Sequence, residues 1–139
     1  MSLYGIFLSC MEKDFDAWNK KKKHIDCYNK YPFFRVREVW WCVLGINIGV
    51  EANGKNYYFE RPVLILKRIN SQSAFVLPIS SNGSDPKSHV AMMIKGKLSF
   101  TKLSQARTVS AQRFLRKIET VSGDLFEQVL TDFIKYLSG

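Results

Sequence analysis

Residues 61–80, RPVLILKRINSQSAFVLPIS, decide the fold because they contain two β-rich runs separated by a short polar segment. Residues 63–68 and 73–79 predict two strands, and residues 70–72 predict the hairpin turn between them. Pro62 is predicted to open the first strand, since proline tolerates the first position of a strand but not its middle. The centre of the chain is therefore predicted to be an antiparallel pair.

A further strand is predicted on the N-terminal side of this hairpin, at residues 38–44 (EVWWCVL), bounded by Gly45. It is joined to the hairpin by residues 45–60, which contain the turn signal Asn53-Gly54. This connection is long for a compact domain, so the segment predicts a functional lid.

Shorter elements are predicted after the hairpin. They are a loop at residues 80–87, strands at 89–94 and 98–101 joined through Lys95-Gly96-Lys97, a strand at 103–109, one helical turn at 111–115 and an extended piece at 116–121. Alternation in residues 103–109 places Gln105 and Arg107 on one face of that late strand.

Apolar residues at helical spacing predict a helix at each end of the chain. The C-terminal stripe consists of Leu125, Val129, Phe133 and Leu137, with Ser122 as the predicted N-cap. The N-terminal stripe consists of Phe7, Met11, Phe15 and Trp18. Residues 20–23 (KKKK) are predicted at the C-terminal end of that helix, where cations suit the helix dipole.

Together these elements predict an α+β protein, a small and strongly curved antiparallel β-barrel with an N-terminal helix and a C-terminal amphipathic helix. The predicted division is an N-terminal helical extension at residues 1–36 and a main domain at residues 37–139.

The charge of the chain is strongly basic: 21 Lys and Arg against 12 Asp and Glu give a formal net charge of +9 in 139 residues. Basic residues outnumber acidic ones by four in residues 71–111, whereas the two are balanced in residues 112–139. Such a surface attracts phosphates or an acidic protein, and solubility is the alternative explanation. No run approaches the ~18 apolar residues of a membrane span, so no membrane association is predicted.

The cysteines favour a reducing compartment, with the cytoplasm as the default. Cys10, Cys27 and Cys42 are widely spaced and form no C-x-x-C pair, which disfavours a disulfide framework. The apolar residues 3–10 are predicted to be a poor signal peptide. With His24 as one of only two histidines, neither a metal site nor a cofactor is predicted, and Cys42 is predicted to be a buried, inert thiol.

Common catalytic motifs are missing, including the P-loop, G-x-S-x-G and H-E-x-x-H. The remaining candidates are polar residues at strand ends and in the long loop, namely Glu51, Arg61 and Ser80. Gln105 and Arg107 join them from the late strand.

Several short strings, taken in order, resemble the MazF/PemK family of toxins. They are EVWW at 38–41, GVE at 49–51, RPVLIL at 61–66, VLPISS at 76–81 and QARTV at 105–109. Residues 15–23 (FDAWNKKKK) are similar to the N-terminal extension of a PemK-like subgroup. The resemblance covers about residues 37–137.

The resemblance implies a toxin of a toxin–antitoxin system on a small SH3-like barrel of the CcdB/MazF type. It implies a homodimeric, metal-independent endoribonuclease that cleaves single-stranded RNA, inhibits translation and is silenced by an acidic antitoxin, with DNA binding in the antitoxin complex. In this reaction the 2′-hydroxyl attacks the neighbouring phosphorus and leaves a cyclic phosphate and a 5′-hydroxyl.

The resemblance also implies roles for individual residues. Arg61 is predicted to stabilise the charge on the phosphate oxygens, because its guanidinium offers two parallel donors. Ser80, where the family commonly has Thr, is predicted to donate a hydrogen bond to the same phosphate. Glu51 is predicted to accept the 2′ proton if the loop closes. The predicted RNA-binding residues are Gln105, Arg107, Tyr57, Tyr58 and Lys55, the tyrosines by stacking on unpaired bases.

Two alternatives stay open at this point. A CcdB-like toxin would bind DNA gyrase and cleave nothing; that family works through a C-terminal Trp-Gly-Ile, whereas this chain ends Leu137-Ser138-Gly139. A non-cleaving member of the family would only bind RNA or an antitoxin.

Overall fold

The structure, a computed structural model, describes residues 13–56, 58–83 and 85–139. Within these residues the elements are α1 (Phe15–Asp26), β1 (Glu38–Val43), β2 (Glu60–Asn70), β3 (Ser73–Ser80), β4 (His89–Ile94), β5 (Lys97–Lys102), β6 (Arg107–Ser110), β7 (Phe114–Thr120) and α2 (Gly123–Ser138). Two short 3₁₀ helices, Leu103–Gln105 and Ala111–Arg113, flank β6. The predicted α+β class, a curved antiparallel sheet with a helix at each end, is confirmed.

The curvature of the sheet arises at β3. The described strands lie in the order β4-β5-β3-β2-β1-β7, and β6 also pairs with β3. The first half of β3 pairs with β6, from Ser73 to Val76, whereas its end pairs with β5 through Ile79 and Ser80. Because two different strands share one edge of β3, the sheet divides there and curls. The end of β3 therefore lies at the dividing point.

The core fills both faces of the curled sheet. On one face the stripe of α2, with Phe126, Val129 and Phe133, packs against sheet residues that include Leu64 and Leu77. The predicted N-cap is confirmed, since the Ser122 hydroxyl accepts a hydrogen bond from the amide of Leu125 at 3.2 Å. The second cluster contains Phe34, Trp40, Cys42, Val63 and Phe114.

Helix α1 buries one aromatic side chain against the barrel. Of the side chains in residues 15–26, only Trp18 is buried. Its ring lies 5.5 Å from the Phe59 ring and beneath the Arg113 guanidinium. A Cβ atom on Gly45, whose φ is +77°, would come within 2.1 Å of the Trp18 ring, so Gly45 permits both the turn and the close approach.

The position of the lysine run in α1 differs from the prediction. Residues 20–23 lie within the helix, which continues to Asp26, and only Lys23 among them is in its last turn. Lysine is a strong helix former, and no residue that breaks a helix follows the run before Cys27. Phe7 and Met11 of the predicted stripe lie outside the described residues.

The loop between β1 and β2 turns at a different place from the one predicted. Lys55 and Glu60 exchange two backbone hydrogen bonds, so the chain has reversed by the time it reaches Glu60, and the predicted turn at Asn53-Gly54 precedes this pair. Asn56 and Phe59 adopt positive φ values there. Gly54 instead lets the Phe59 carbonyl approach closely, because a Cβ atom would meet its oxygen at 1.7 Å.

Two strand boundaries also differ from the sequence prediction. Pro62 is the third residue of β2, opposite Trp41, rather than its first residue. This is tolerated because β2 pairs with β3 only from Val63 onward. The predicted strand at 103–109 is a 3₁₀ helix followed by β6, so Gln105 and Arg107 do not share a strand face.

Glu38 ties β1 to its neighbours through a nearly buried carboxylate. Its Oε1 accepts hydrogen bonds from the Arg35 amide at 2.7 Å and the Trp40 indole at 3.0 Å, and its Oε2 lies 3.0 Å from the Lys117 ammonium. Burial opposes ionisation, but the hydrogen bonds and the ammonium together hold the pKa of Glu38 below its usual value. The charged carboxylate thus stabilises the folded state.

Glu38→Gln should therefore lower the free energy of unfolding at pH 7 by about 1.5–3 kcal/mol, the contribution of a hydrogen bond to a charged group. A depressed folded-state pKa contributes stability above the unfolded pKa, and this contribution is lost as pH falls through the folded pKa. The difference between variant and wild type should consequently shrink in urea unfolding at pH 3. Exposed Glu127→Gln is the control, and an equal deficit at both pH values would contradict the assignment.

Candidate active site

The β2–β3 hairpin carries Arg61 and Ser80 at the same end, just beyond the last pair of its ladder. The hairpin closes with Asn70 opposite Ser73, and two register shifts follow before Val63 pairs with Pro78. Arg61 and Ser80 each lie two residues beyond that pair, Arg61 before Val63 and Ser80 after Pro78. Side chains alternate between the two faces of a sheet, so a shift of one residue in the register would move a side chain to the opposite face. Two such shifts return it to the original face. Both side chains therefore belong to one end of the hairpin.

Arg61 is buried and held in place by backbone carbonyls. It is only 7% exposed, its Nε donates to the Asn53 carbonyl at 2.5 Å, and its Nη1 donates to the Ile79 carbonyl at 3.2 Å. Burial lowers the pKa of this guanidinium, yet arginine stays protonated in proteins. Two of its five N–H donors are used in these bonds, which leaves three for a ligand in the neighbouring cleft.

Ser80 is the last residue of β3 and is also buried. Its Oγ accepts a hydrogen bond from the Asn82 amide at 3.1 Å. Because the hydroxyl oxygen is the acceptor in that bond, its hydrogen can be donated elsewhere. Ser80 can thus act as a donor to an anion beside Arg61.

Arg61 and Ser80 line one cleft of about 440 Å³, here called the Arg61–Ser80 cleft. Lysines from three segments surround it, namely Lys55 from the long loop, Lys95 from the β4–β5 turn and Lys97 from β5. Close by, burial first and then the charges of Arg61 and Lys55 lower the pKa of Lys102. The cleft is strongly positive and suits a phosphate.

One carboxylate, that of Glu60, belongs to the described lining of this cleft. Its Oε2 lies 3.5 Å from the Arg116 guanidinium, which also lies over the Trp41 ring at 5.1 Å. The negative charge of Glu60 is therefore balanced by Arg116. The apolar Trp41 ring contributes a flat surface to the same cleft.

Glu51, Gln105 and Arg107 line a different cavity, of about 400 Å³. The Glu51 carboxylate accepts a hydrogen bond from the Ile48 amide at 2.9 Å, within its own loop. The Gln105 amide accepts from the Ala52 amide and donates to the Val50 carbonyl. The structure thus separates these three residues from Arg61 and Ser80, and Gln105 fastens the loop.

In the loop between β1 and β2, one described aromatic side chain is packed and another is exposed. Phe59 packs on Trp18. Tyr58 is 61% exposed, and the Lys21 ammonium lies 5.5 Å from its ring centre. Tyr57, which is also predicted to bind RNA, lies outside the described residues.

Other reactive groups lie outside the cleft. Cys42 is completely buried, and burial raises the pKa of its thiol to about 12. His89 begins β4, where its Nδ1 lies 3.5 Å from the Asp85 amide. Within residues 13–56, 58–83 and 85–139, no three His, Cys, Asp or Glu side chains are grouped as metal ligands. Neither helix in those ranges is long and apolar enough to cross a membrane.

Sequence reasoning did not place several residues of the cleft in the predicted site, among them Trp41, Asn56, Glu60, Lys95 and Lys97. The two lysines stood out as contributors to the positive charge of the chain, and the strands around their turn were predicted. The missing information was that β5 pairs with the end of β3, through Ile79 and Ser80, which carries this turn to the cleft.

Comparison with protein-family models gives one match, over residues 35–137. The model describes the PemK-like, MazF-like toxin of type II toxin–antitoxin systems. Helix α1 lies outside the matched range. No curated protein matches the sequence.

Solved structures with the same fold come from mycobacteria. The Mycobacterium tuberculosis toxin MazF-mt6 is 16% identical, with a TM-score of 0.57 over 73% of this chain and 97% of that chain. An endoribonuclease in complex with its cognate antitoxin from Mycobacterial species is 14% identical, with a TM-score of 0.54 over 75% and 93%. A further endoribonuclease from Mycobacterial species is 13% identical, with a TM-score of 0.57 over 78% and 96%.

Proposed function

We propose, from the premise that the chain belongs to the PemK-like, MazF-like family of type II toxins, that it cleaves single-stranded RNA without a metal ion. The observation that carries this proposal is the convergence of Arg61 and Ser80 on one basic cleft. The fold and the family support endoribonuclease activity in general terms. The mechanism is the one that the resemblance to the family implies, and the cleft supports the roles of Arg61 and Ser80 in it.

In the proposed reaction, the 2′-hydroxyl of one nucleotide attacks the adjacent phosphorus. The bond from phosphorus to the 5′ oxygen of the next nucleotide breaks, and that oxygen takes a proton from the solvent. The products are a cyclic phosphate and a 5′-hydroxyl. Negative charge builds up on the non-bridging oxygens, and Arg61 and Ser80 donate hydrogen bonds to them. Such donors strengthen as the charge develops, because they are fixed before the reaction begins.

The 2′-hydroxyl needs a proton acceptor. Glu60 is the carboxylate that lines the cleft as it stands, and it supports this role better than Glu51 does. The prediction for Glu51 requires the loop to move, because its carboxylate is bonded to the Ile48 amide on another cavity. Of the predicted RNA-binding residues, Lys55 is the one that lines the cleft, and Gln105, Arg107, Tyr57 and Tyr58 stay predictions.

The proposed protein partner is an acidic antitoxin. One structural neighbour was solved with its cognate antitoxin, and the net charge of +9 suits an acidic antitoxin. Four further features stay predictions. They are a homodimer, DNA binding through the antitoxin complex, a cytoplasmic location, and a boundary between two parts of the chain at residues 36 and 37.

The test is cleavage of a 5′-labelled single-stranded RNA by the purified protein with excess EDTA. We expect fragments with cyclic-phosphate ends, which resist phosphatase until acid opens the ring. Ser80→Ala should slow this cleavage about 10–100-fold, since a single preorganised donor is worth up to about 10²–10³ in rate. Ser81→Ala is the matched control, because Ser81 is the exposed neighbour at the same cleft.

Three results would contradict the proposal. Cleavage that stops with EDTA would make the reaction metal-dependent. RNA that is bound and never cut would favour a non-cleaving member of the family. Intact RNA together with inhibition of DNA gyrase would favour a CcdB-like toxin.

A further inference from the structure

A second and larger groove lies between α1 and the loop that joins β1 to β2. Its volume is about 1050 Å³. This is slightly larger than ordinary ligand pockets, which have volumes of about 300–1,000 Å³. Its lining includes Lys13, Lys20, Lys21, Lys23, His24 and Phe59. It is called the α1 groove below.

The α1 groove is basic because one side of α1 faces it. Lys20 and Lys21 lie four and three residues before His24, about one helical turn, so each is a neighbour of His24 on the side of α1 that lines the groove. Lys22 points elsewhere, into a small pocket with Asp26 and Arg113. Asp14 is the described carboxylate of the groove, and it accepts a hydrogen bond from the Ala17 amide as the N-cap of α1. The lysine charges therefore dominate the groove.

One end of the α1 groove is closed by a fixed contact. The Lys13 ammonium donates to the carbonyls of Asn47 at 2.7 Å and Gly49 at 3.1 Å, which ties the start of α1 to the loop. Lys20, Lys21 and Lys23 make no such contact in the described residues, and Lys21 lies over the Tyr58 ring. Proteins that bind single-stranded nucleic acid combine basic side chains with exposed aromatic rings on which bases stack.

The α1 groove adjoins the Arg61–Ser80 cleft. Asn56 lines both of them. An RNA strand whose phosphate is held by Arg61 and Ser80 extends beyond the cleft, and the α1 groove offers positive charge on that path. An acidic protein would not need the two sites to adjoin, so the observations favour RNA.

We propose that the α1 groove binds the sugar–phosphate backbone of the RNA that flanks the scissile phosphate, a proposal that rests on the function above. Lys20 and Lys21 contact phosphates, and Tyr58 offers its ring to a base. Because the family match begins at residue 35, α1 adds this binding surface to the toxin fold. It acts on affinity and not on the chemical step.

The test compares two double variants that remove the same charge. Lys20→Gln with Lys21→Gln alters the groove, whereas Lys22→Gln with Lys67→Gln alters lysines that line neither the groove nor the cleft. Glutamine keeps the helix propensity of lysine. Binding is measured by fluorescence anisotropy with a labelled 2′-O-methyl RNA, which lacks the nucleophile, at several salt concentrations.

For single strands, the plot of log affinity against log salt loses about 0.7 in slope for each lost phosphate contact. The groove variant should therefore lose about 1.4 in slope and about tenfold in affinity at low salt, while the control keeps the wild-type slope. Equal slopes for the two variants would overturn the proposal. A groove variant that loses binding of polyglutamate but keeps its RNA slope would also overturn it, in favour of an acidic protein.

The failure of the proposed function would be visible separately. If the wild-type protein does not cut the unmethylated RNA but the slopes still differ, the cleavage proposal is overturned and the binding role of the α1 groove stands. If cleavage occurs and the slopes agree, only the groove proposal is overturned.

Discussion

Arg61→Lys should cut RNA about 10³-fold more slowly than the wild-type protein. Removal of one preorganised donor costs up to about 10²–10³ in rate, and arginines that stabilise phosphoryl transfer are worth about 10³–10⁵. Lysine keeps the positive charge but lacks the planar fork that matches two phosphate oxygens. The loss would therefore report geometry rather than charge.

The position of Arg61 explains why lysine cannot replace it. The Nε and Nη1 atoms already donate to the carbonyls of Asn53 and Ile79, which orients the rest of the guanidinium toward the cleft. A lysine ammonium at this site can satisfy one carbonyl only by turning from the phosphate. The same substitution thus weakens both the orientation and the second hydrogen bond to the substrate.

The measurement is the single-turnover rate on a labelled RNA, together with the affinity for a 2′-O-methyl RNA and the thermal unfolding midpoint. Arg68→Lys is the matched control, because Arg68 is an exposed arginine of the same strand; its rate should stay within about twofold, as is usual for surface substitutions. A variant that loses affinity as strongly as rate would show that Arg61 only binds RNA. If Arg61→Lys does not fold, the cleavage rate and the RNA affinity are measured for Arg61→Gln instead.

The sequence predicted the elements of the fold but not the register of the central hairpin. From Asn70 opposite Ser73, a regular hairpin would set Arg61 against Asn82. Two register shifts set Val63 opposite Pro78 instead, so the same register continued by two residues reaches Ser80. A β-bulge depends on local twist and on packing against other strands, and neither is readable from the alternation of residue types. The resemblance to the toxin family supplied the pairing that periodicity could not.

The long loop shows the opposite limit. Its length correctly marked it as unusual, but Glu51 and Gln105 do not reach the Arg61–Ser80 cleft. Gln105 belongs to a 3₁₀ helix, and its amide satisfies the backbone of Val50 and Ala52. The alternation of apolar and polar residues over 103–109 is typical of a strand. It cannot reveal hydrogen bonds to residues more than fifty positions away, such as those of Gln105 to Val50 and Ala52. For candidate site residues outside the central hairpin, the sequence alone therefore does not show which of them reach the cleft.

Trp18→Ala should speed trypsin cleavage at the lysine run of α1 about 10²-fold. Truncation of a buried tryptophan costs about 3–5 kcal/mol, and each 1.4 kcal/mol is a factor of ten in an equilibrium. Trp18 is the one buried side chain among residues 15–26, packed on Phe59 and against Gly45. Its loss removes the apolar anchor of the helix.

An undocked α1 should also lose its helical structure. Isolated helices shorter than about 12–15 residues are marginal in water, and α1 has 12 residues. Trypsin needs a locally unfolded chain, so its rate at residues 20–23 reports the undocked population when refolding is fast. Cleavage within the strands should stay slow, because the barrel core does not include α1.

Phe15→Ala is the matched control for this measurement. Phe15 is an aromatic residue of the same helix that is 46% exposed, so its truncation should change the trypsin rate by less than about threefold, within the range of surface substitutions. An unchanged rate in Trp18→Ala would mean that Lys13 and the loop carbonyls hold α1 without the tryptophan. A raised rate should be accompanied by a smaller salt slope for RNA binding, because Lys20 and Lys21 reach the α1 groove only while the helix is docked.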